Sequence, residues 1–271
     1  MKKILPILLF PLLMASCDNI EGPYIEEGVY ISTGRKILLE DYTGHKCGNC
    51  PRAHEELEKM MEYYGSDVVP ISIHVGNFAR PDAEYPADYR TPDGNELNLE
   101  FQVSAAGLPN GIINRTNYSG NLIVGYDQWR KAAAEWLSKD PEMALYIENA
   151  YDTTNRSVHS KIEAHFKKKI TEPMKMVVYL IEDSIVSKQK DYSLNPDHID
   201  NYIHRHMFRK AINGIFGEDF ANSANENQIL SKEFDFVVDS NFVETKCHVV
   251  AFVSKKQNNQ VLQAEHKKII E

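Results

Sequence analysis

The chain has 271 residues, with 39 Asp and Glu against 30 Lys and Arg and a formal charge of -9. That acidic balance argues against nucleic acid as a partner, because phosphate binding needs a basic footprint. Four cysteines at this length exclude a disulfide scaffold, and no later run reaches the roughly 18 apolar residues of a transmembrane helix.

The first element in chain order is a leader. Met1-Lys2-Lys3 is a basic head and Ile4 to Met14 a short apolar body, the layout of a secretory signal and too short to span a bilayer. It ends in Leu13-Met14-Ala15-Ser16-Cys17, which resembles the lipobox cut by lipoprotein signal peptidase. Residues 1–16 are therefore expected to be removed, leaving Cys17 as an acylated first residue and a formal charge of -11 once Lys2 and Lys3 are lost. The alternative is an ordinary signal peptide with an incidental cysteine. Each buried methylene contributes about 0.8 kcal/mol, so several acyl chains on Cys17 make a lasting hold on the membrane, the partner expected at this end. Residues 17–35, acidic and turn-rich at their start, are expected to form the lipidated tether.

A regular pattern follows. Arg35 to Tyr42 reads as a buried strand, Pro51 to Tyr64 as a helix with Leu57, Met60, Met61 and Tyr64 on one side, and Val68 to His74 as a second strand. Strand, helix and strand at this spacing form a right-handed parallel unit. Ala79 to Gly94, rich in Pro, Asp and Tyr, predicts a surface excursion, and Asn95 to Val103 a short helix. Ile112 to Arg115 is a short strand, Tyr118 to Asn121 a hairpin turn, and Tyr126 to Ser138 a helix with Trp129, Ala132, Ala133, Trp136 and Leu137 on one face. Asp140-Pro141 marks a boundary. Beyond it the period changes to two: Ser157 to Phe166, Met174 to Glu182, Glu233 to Val238, Thr245 to Ser254 and Gln260 to Ile269 alternate as half-buried strands. Residues 141–271 are thus expected to be a β-rich, immunoglobulin-like sandwich with a helical insertion near 196–216.

The chemistry concentrates at Cys47-Gly48-Asn49-Cys50. A thiolate is the working form of cysteine, and placing it where a strand hands over to a helix lets unpaired amides and the helix dipole steady the anion. Pro51 suits the first helical turn, and Cys50 is placed to resolve a mixed disulfide formed at Cys47. Asp41 lies six residues before Cys47, where thioredoxins keep a buried proton-accepting carboxylate. Pro109 stands before the third strand, where they keep a cis-proline. These features resemble the thioredoxin fold, giving an expected α/β domain over residues 36–140. His45 and Lys46 precede Cys47 and Leu108 precedes Pro109; Lys46 replaces the tryptophan common in thioredoxins and, with Leu108, bears on which partners dock, while His45 either tunes the thiolate or carries a proton, or is a solvated loop histidine. A structural disulfide without redox work stays open, and a zinc site lacks a second cysteine pair.

Other residues point elsewhere. His198, His204 and His206 are close in sequence, but a helix would point His204 and His206 to different sides, so no metal is expected, nor any cofactor. Cys247 shares a strand face with Val249, Ala251 and Val253 and reads as a small buried hydrophobe.

The lipobox ending at Cys17, the run from Leu39 to Pro51, Gly107-Leu108-Pro109 and Asn201 to His206 together resemble one family, over nearly the full length: the outer-membrane lipoproteins of anaerobic Gram-negative bacteria related to the twenty-eight-kilodalton outer-membrane protein. The resemblance implies an outer-membrane location, a thioredoxin-like domain and a β-rich one. Two functions follow as expectations. One is thiol-disulfide exchange with envelope proteins, in which Cys47 reacts, Cys50 resolves, Asp41 handles the proton and Pro109 shapes the docking groove. The other is a non-catalytic surface receptor or adhesin.

Overall fold

The structure, a computed structural model, describes residues 30–271. The expected signal peptide 1–16, the lipidation site Cys17 and most of the tether lie outside the described residues. Strand β1 (Ile37–Thr43) is buried along its length, including the charged Glu40 and Asp41, and a turn at 44–49 delivers it to helix α1 (Cys50–Tyr64). The chain returns in β2 (Val68–His74), parallel to β1, with Asp41 beside Ser72 and Thr43 beside His74. Pro51 occupies the first turn of α1, where its missing N-H leaves no bond unmade, and the helix buries Ala53, Leu57, Met60 and Tyr64.

Helix α2 (Pro92–Phe101) starts at Thr91, whose hydroxyl accepts from the Gly94 amide at 2.9 Å. Strand β3 (Asn110–Ile113) runs antiparallel to β1. Helix α3 (Tyr126–Leu137) is fixed by Trp129, which is fully buried and donates Nε1 to the Val124 carbonyl at 2.9 Å. A Cβ at Gly111 would fall 2.8 Å from the indole, so only glycine lets helix and strand approach this closely there.

Ten strands follow among the described residues: β4 (Met143–Asp152), β5 (Ser157–Phe166), β6 (Met174–Glu182), β7 (Ile185–Lys190), β8 (His198–His204), β9 (Met207–Ala211), β10 (Glu218–Ala221), β11 (Ile229–Val237), β12 (Cys247–Lys255) and β13 (Val261–Lys268). The largest sheet runs β13-β12-β6-β9-β2-β1-β3, with β10 also on β6. The boundary expected at Asp140-Pro141 falls between α3 and β4; the sheet extends across it, and Ile31–Glu271 is one compact unit.

The alternation of β6 shows how the layers are shared. Val177, Tyr179 and Ile181 pack with Leu38, Tyr42, Val69 and Leu97, on the face that also receives α2. Met176, Val178 and Leu180 point the other way, into a second core closed by the three-stranded sheet β11-β5-β4 through Leu145, Ile147, Val158 and Ile162. Cys247 is buried in that second core, and burial pushes its thiol up to about 12, leaving it an inert apolar filler.

A buried ion pair within the first half reaches the second through a hydrogen bond to Tyr179. Arg115 forks onto Glu40 at 2.7 and 3.0 Å, and the same guanidinium donates to the Tyr179 hydroxyl at 2.8 Å and lies over Phe101, Phe216 and Phe252. The charge pair thus lies at the β1-β3 end of the sheet in a dry place, where loss of either partner is expensive, and its bond to Tyr179 reaches β6.

The helical insertion expected near 196–216 is corrected. Among the described residues of that stretch β8 and β9 are strands, β8 pairing with β7 as a separate two-stranded ribbon and β9 entering the main sheet between β2 and β6. The spacing of Ile199 and Ile203 mimics a helical stripe, yet Asn, Asp, His, Tyr and Ile are weak helix formers, and neighbouring strands supply the backbone partners.

Candidate functional site

Residues 44–50 leave β1 in tight turns, with the Cys47 amide donating to the Gly44 carbonyl and the Cys50 amide to the Cys47 carbonyl. Cys47 and Cys50 are bonded to each other as a disulfide. The helix begins at Cys50, so Cys47 occupies the turn ahead of it. The Leu108-Pro109 peptide is cis, and both residues are half-buried.

The bridge is covered. Cys47 is 3% exposed and Cys50 not at all. The covering piece is the β7-β8 ribbon and the loop inside it. Gln189, fully buried on β7, donates Nε2 to the Cys47 carbonyl at 3.0 Å; the Lys190 amide donates to the His45 carbonyl at 2.8 Å, and the Tyr192 amide to the Gly48 carbonyl at 2.9 Å. The Tyr192 ring lies over Gly48 so closely that a Cβ there would come within 2.5 Å of it. Glycine between the cysteines thus serves the cover rather than the turn.

Asp41 lies on the β1 face that meets α1 and is fully buried. Neither carboxylate oxygen accepts a well-aligned hydrogen bond among the described residues, and the group in ion-pair reach is His54 Nε2 at 3.2 Å. His54 stands four residues after Cys50, one turn along the same helical face. Its Nε2 also meets the Thr43 hydroxyl at 3.1 Å, and its Nδ1 meets the Tyr202 hydroxyl of β8 at 2.6 Å. A cleft of about 270 Å³, lined by Pro51, His54, Glu58 and Tyr202 among others, opens beside them.

His45 faces away from this line into an aromatic nest. Its ring stacks on Tyr85 at 5.5 Å and on His74 at 6.2 Å and meets Tyr89 edge-on at 5.7 Å, while His74 and His204 also pack on Tyr89. Burial, with Lys46 next, lowers His45 to about 4, and burial with nearby His54 lowers His204 to about 3; His74 is also well below its usual value, chiefly by burial. These rings are therefore neutral at physiological pH. Both His45 nitrogens and Nδ1 of His74 and of His204 lack a hydrogen-bond partner. Among the described residues no three His, Cys, Asp or Glu side chains form a metal-binding group. His206 lies outside the nest, in a left-handed turn after β8, and His198 lies near Asp200 at 3.5 Å.

Lys46 pairs with Asp82 at 2.8 Å, which lowers that carboxyl to about 2, and Lys188 of β7 pairs with Glu84 at 2.7 Å. The 79–94 excursion is thereby folded back on the motif, and Tyr85 and Tyr89 are buried against it rather than free to present a contact surface. Sequence reasoning missed His54, Tyr202, Gln189 and Tyr192. Only His54 carried a local signal, its i+4 spacing from Cys50 on a predicted helix; the other three arrive from more than a hundred residues away.

Comparison with known structures places this arrangement among others. HBP35 of Porphyromonas gingivalis is similar with a TM-score of 0.67 at 17% identity, covering 87% of this chain and 75% of that one, which is a likeness of fold. An Agrobacterium tumefaciens protein solved as a structural-genomics target aligns with a TM-score of 0.52 at 14% identity, covering 88% of this chain and 96% of that one. A domain of the outer membrane lipoprotein Omp28 from Porphyromonas gingivalis is 20% identical over 48% of this chain and 90% of that one, with a TM-score of 0.33. No curated protein matches. The sequence model of the family described as outer membrane protein Omp28 matches residues 96–271, a stretch that begins inside α2, after the cysteine pair. That match spans well over half of the sequence, and the chain belongs to the Omp28 outer membrane protein family.

Proposed function

We propose that this chain is a lipoprotein held at the outer membrane through Cys17 that carries out thiol-disulfide exchange with envelope proteins, using a thioredoxin-like half over 36–140 fused to an immunoglobulin-like sandwich over 141–271. The observation that carries the reading is the seat of the Cys47–Cys50 bridge: it lies where a buried strand turns into a helix, and a fully buried carboxylate, Asp41, stands on the strand beneath that helix. In this reading Cys47 exchanges with the partner's sulfur, Cys50 displaces the partner by bonding to Cys47, Asp41 takes the Cys50 proton, and Pro109 borders the docking groove. Lys46 and Leu108 set the surface met by the partner, while His45 is buried against Tyr85 and Tyr89.

Because both sulfurs are covered, exchange needs the loop that carries Tyr192, between β7 and β8, to lift from Gly48. Replacing Cys50 by Ser should leave Cys47 to accumulate mixed disulfides with envelope proteins, recovered on non-reducing gels and released by reductant. Absence of any such adduct, with Cys47 shown free to alkylate, would overturn the reading.

The same burial favours a second reading, in which the bridge is a staple in a binding lipoprotein. Under that reading the variant with both cysteines replaced by Ser loses stability, by roughly 2–5 kcal/mol, and forms no adducts in any redox state.

A further inference from the structure

A carboxylate that takes a proton must also lose it, and Asp41 is sealed from water. We propose that His54, backed by Tyr202, is the proton carrier between Asp41 and the solvent-filled cleft beside α1, an inference that rests on the exchange reading above. The contacts form a continuous line: Asp41 Oδ2 to His54 Nε2 at 3.2 Å, then His54 Nδ1 to the Tyr202 hydroxyl at 2.6 Å. His54 is 15% exposed at its side chain and borders the cleft, whereas Asp41 has no exposure at all. An imidazole suits this place because its two nitrogens take up and release a proton on opposite sides of the ring. His54 acts on the sulfurs through Asp41 and is a positioning residue in that sense.

The step balances as follows. Cys47 carries a mixed disulfide with a partner, which entered as a disulfide and is the oxidant. Cys50 sulfur attacks Cys47 sulfur; the Cys47–Cys50 bond forms, the bond from Cys47 to the partner's sulfur breaks, and the partner leaves as a thiolate that takes a proton from solvent. The Cys50 proton moves to Asp41 and on to His54 Nε2, while the proton on Nδ1 passes to the Tyr202 oxygen and the phenol's own proton passes to water. His54 ends in the other tautomer and is reset through solvent.

The surroundings allow this. Glu55 and Glu58 of α1, Asp41 of β1, His74 of β2, His204 of β8, and Asp191, Arg205 and His206 beside the ribbon are the titratable and charged groups around the His54–Tyr202 pair. Burial, then Glu58 and Asp41, raise the Tyr202 phenol above its ordinary 10, so it stays a hydroxyl able both to accept and to donate. Tyr202 stands on β8, ten residues after Tyr192, so the relay stays joined while the loop over Gly48 lifts to admit the partner.

The test is single-turnover oxidation of the reduced full chain by glutathione disulfide, followed by tryptophan fluorescence across the neutral pH range. His54→Ala should slow the resolving step about 100-fold, and added imidazole should restore it by filling the vacated place. Tyr202→Phe, which keeps the ring, should slow it about 10-fold, and Asp41→Asn combined with His54→Ala should be no slower than Asp41→Asn alone. Melting curves identify any variant that is slow because it is unfolded, and Tyr202→Phe keeps the relay testable if His54→Ala does not fold. Wild-type exchange with variants within twofold of it and no imidazole rescue would overturn the relay while leaving the exchange reading intact. A wild-type chain that neither reduces nor reoxidises would overturn both.

Discussion

The side-chain amide of Gln189 donates to the backbone carbonyl of Cys47 at 3.0 Å, from a residue with no exposed surface. This bond holds the ribbon on the disulfide and leaves the Cys47 carbonyl without that donor if Gln189 is shortened. Gln189→Ala should lower global stability by about 1–3 kcal/mol and speed reduction of the bridge by about 10-fold, since each 1.4 kcal/mol is tenfold in the open population. Timed reduction by a phosphine, quenched by alkylation and read by mass, checks it.

The contact between Gly48 and Tyr192 makes a complementary demand. A methyl at position 48 would come within 2.5 Å of the ring, so Gly48→Ala should cost about 1–3 kcal/mol and expose Cys47. Adding Tyr192→Ala should recover most of that cost, a coupling that a denaturation double-mutant cycle measures directly.

Glu40 and Arg115 pair beside β1 and β3, and Arg115 carries the tie to Tyr179 of β6. Glu40→Gln leaves a buried guanidinium without its counter-charge beside Tyr179 and three phenylalanines, and should destabilise the protein by about 3–5 kcal/mol in urea unfolding.

Acid should weaken the protein through its buried histidines. His45 and His204 are lowered to about 4 and about 3 in the folded state against an ordinary 6.5, so the unfolded chain binds protons first as pH falls. Their contribution is therefore complete above about pH 6.5 and is lost progressively toward their folded values. The melting temperature should fall between about pH 6.5 and about pH 4, and His45→Phe, which keeps an aromatic ring against Tyr85, should make that fall shallower.

Much of the first half was legible because its signals are local. β2 matches the expected span at Val68–His74, and α1 and α3 begin and end within a residue of expectation, since periodicity, Pro51 and the apolar faces all agree. β5 and β6 were legible for the same reason. β7, β8 and β9 were not: their sequences are polar and short, and their strand character comes from partners distant in the chain. The site divides along the same line. Asp41, Cys47 and Cys50 lie within one strand-turn-helix run, so their offsets and the thioredoxin resemblance could single them out. The cover of Gln189 and Tyr192 and the link from His54 to Tyr202 depend on residues more than a hundred positions away, which no local pattern announces.

The reduction potential of the Cys47–Cys50 pair tests the exchange reading most directly. Equilibration of the full chain with glutathione redox buffers should give a value between about -270 and about -120 mV, the span of working dithiol proteins, whereas a value below about -300 mV would mark an inert staple and contradict the account.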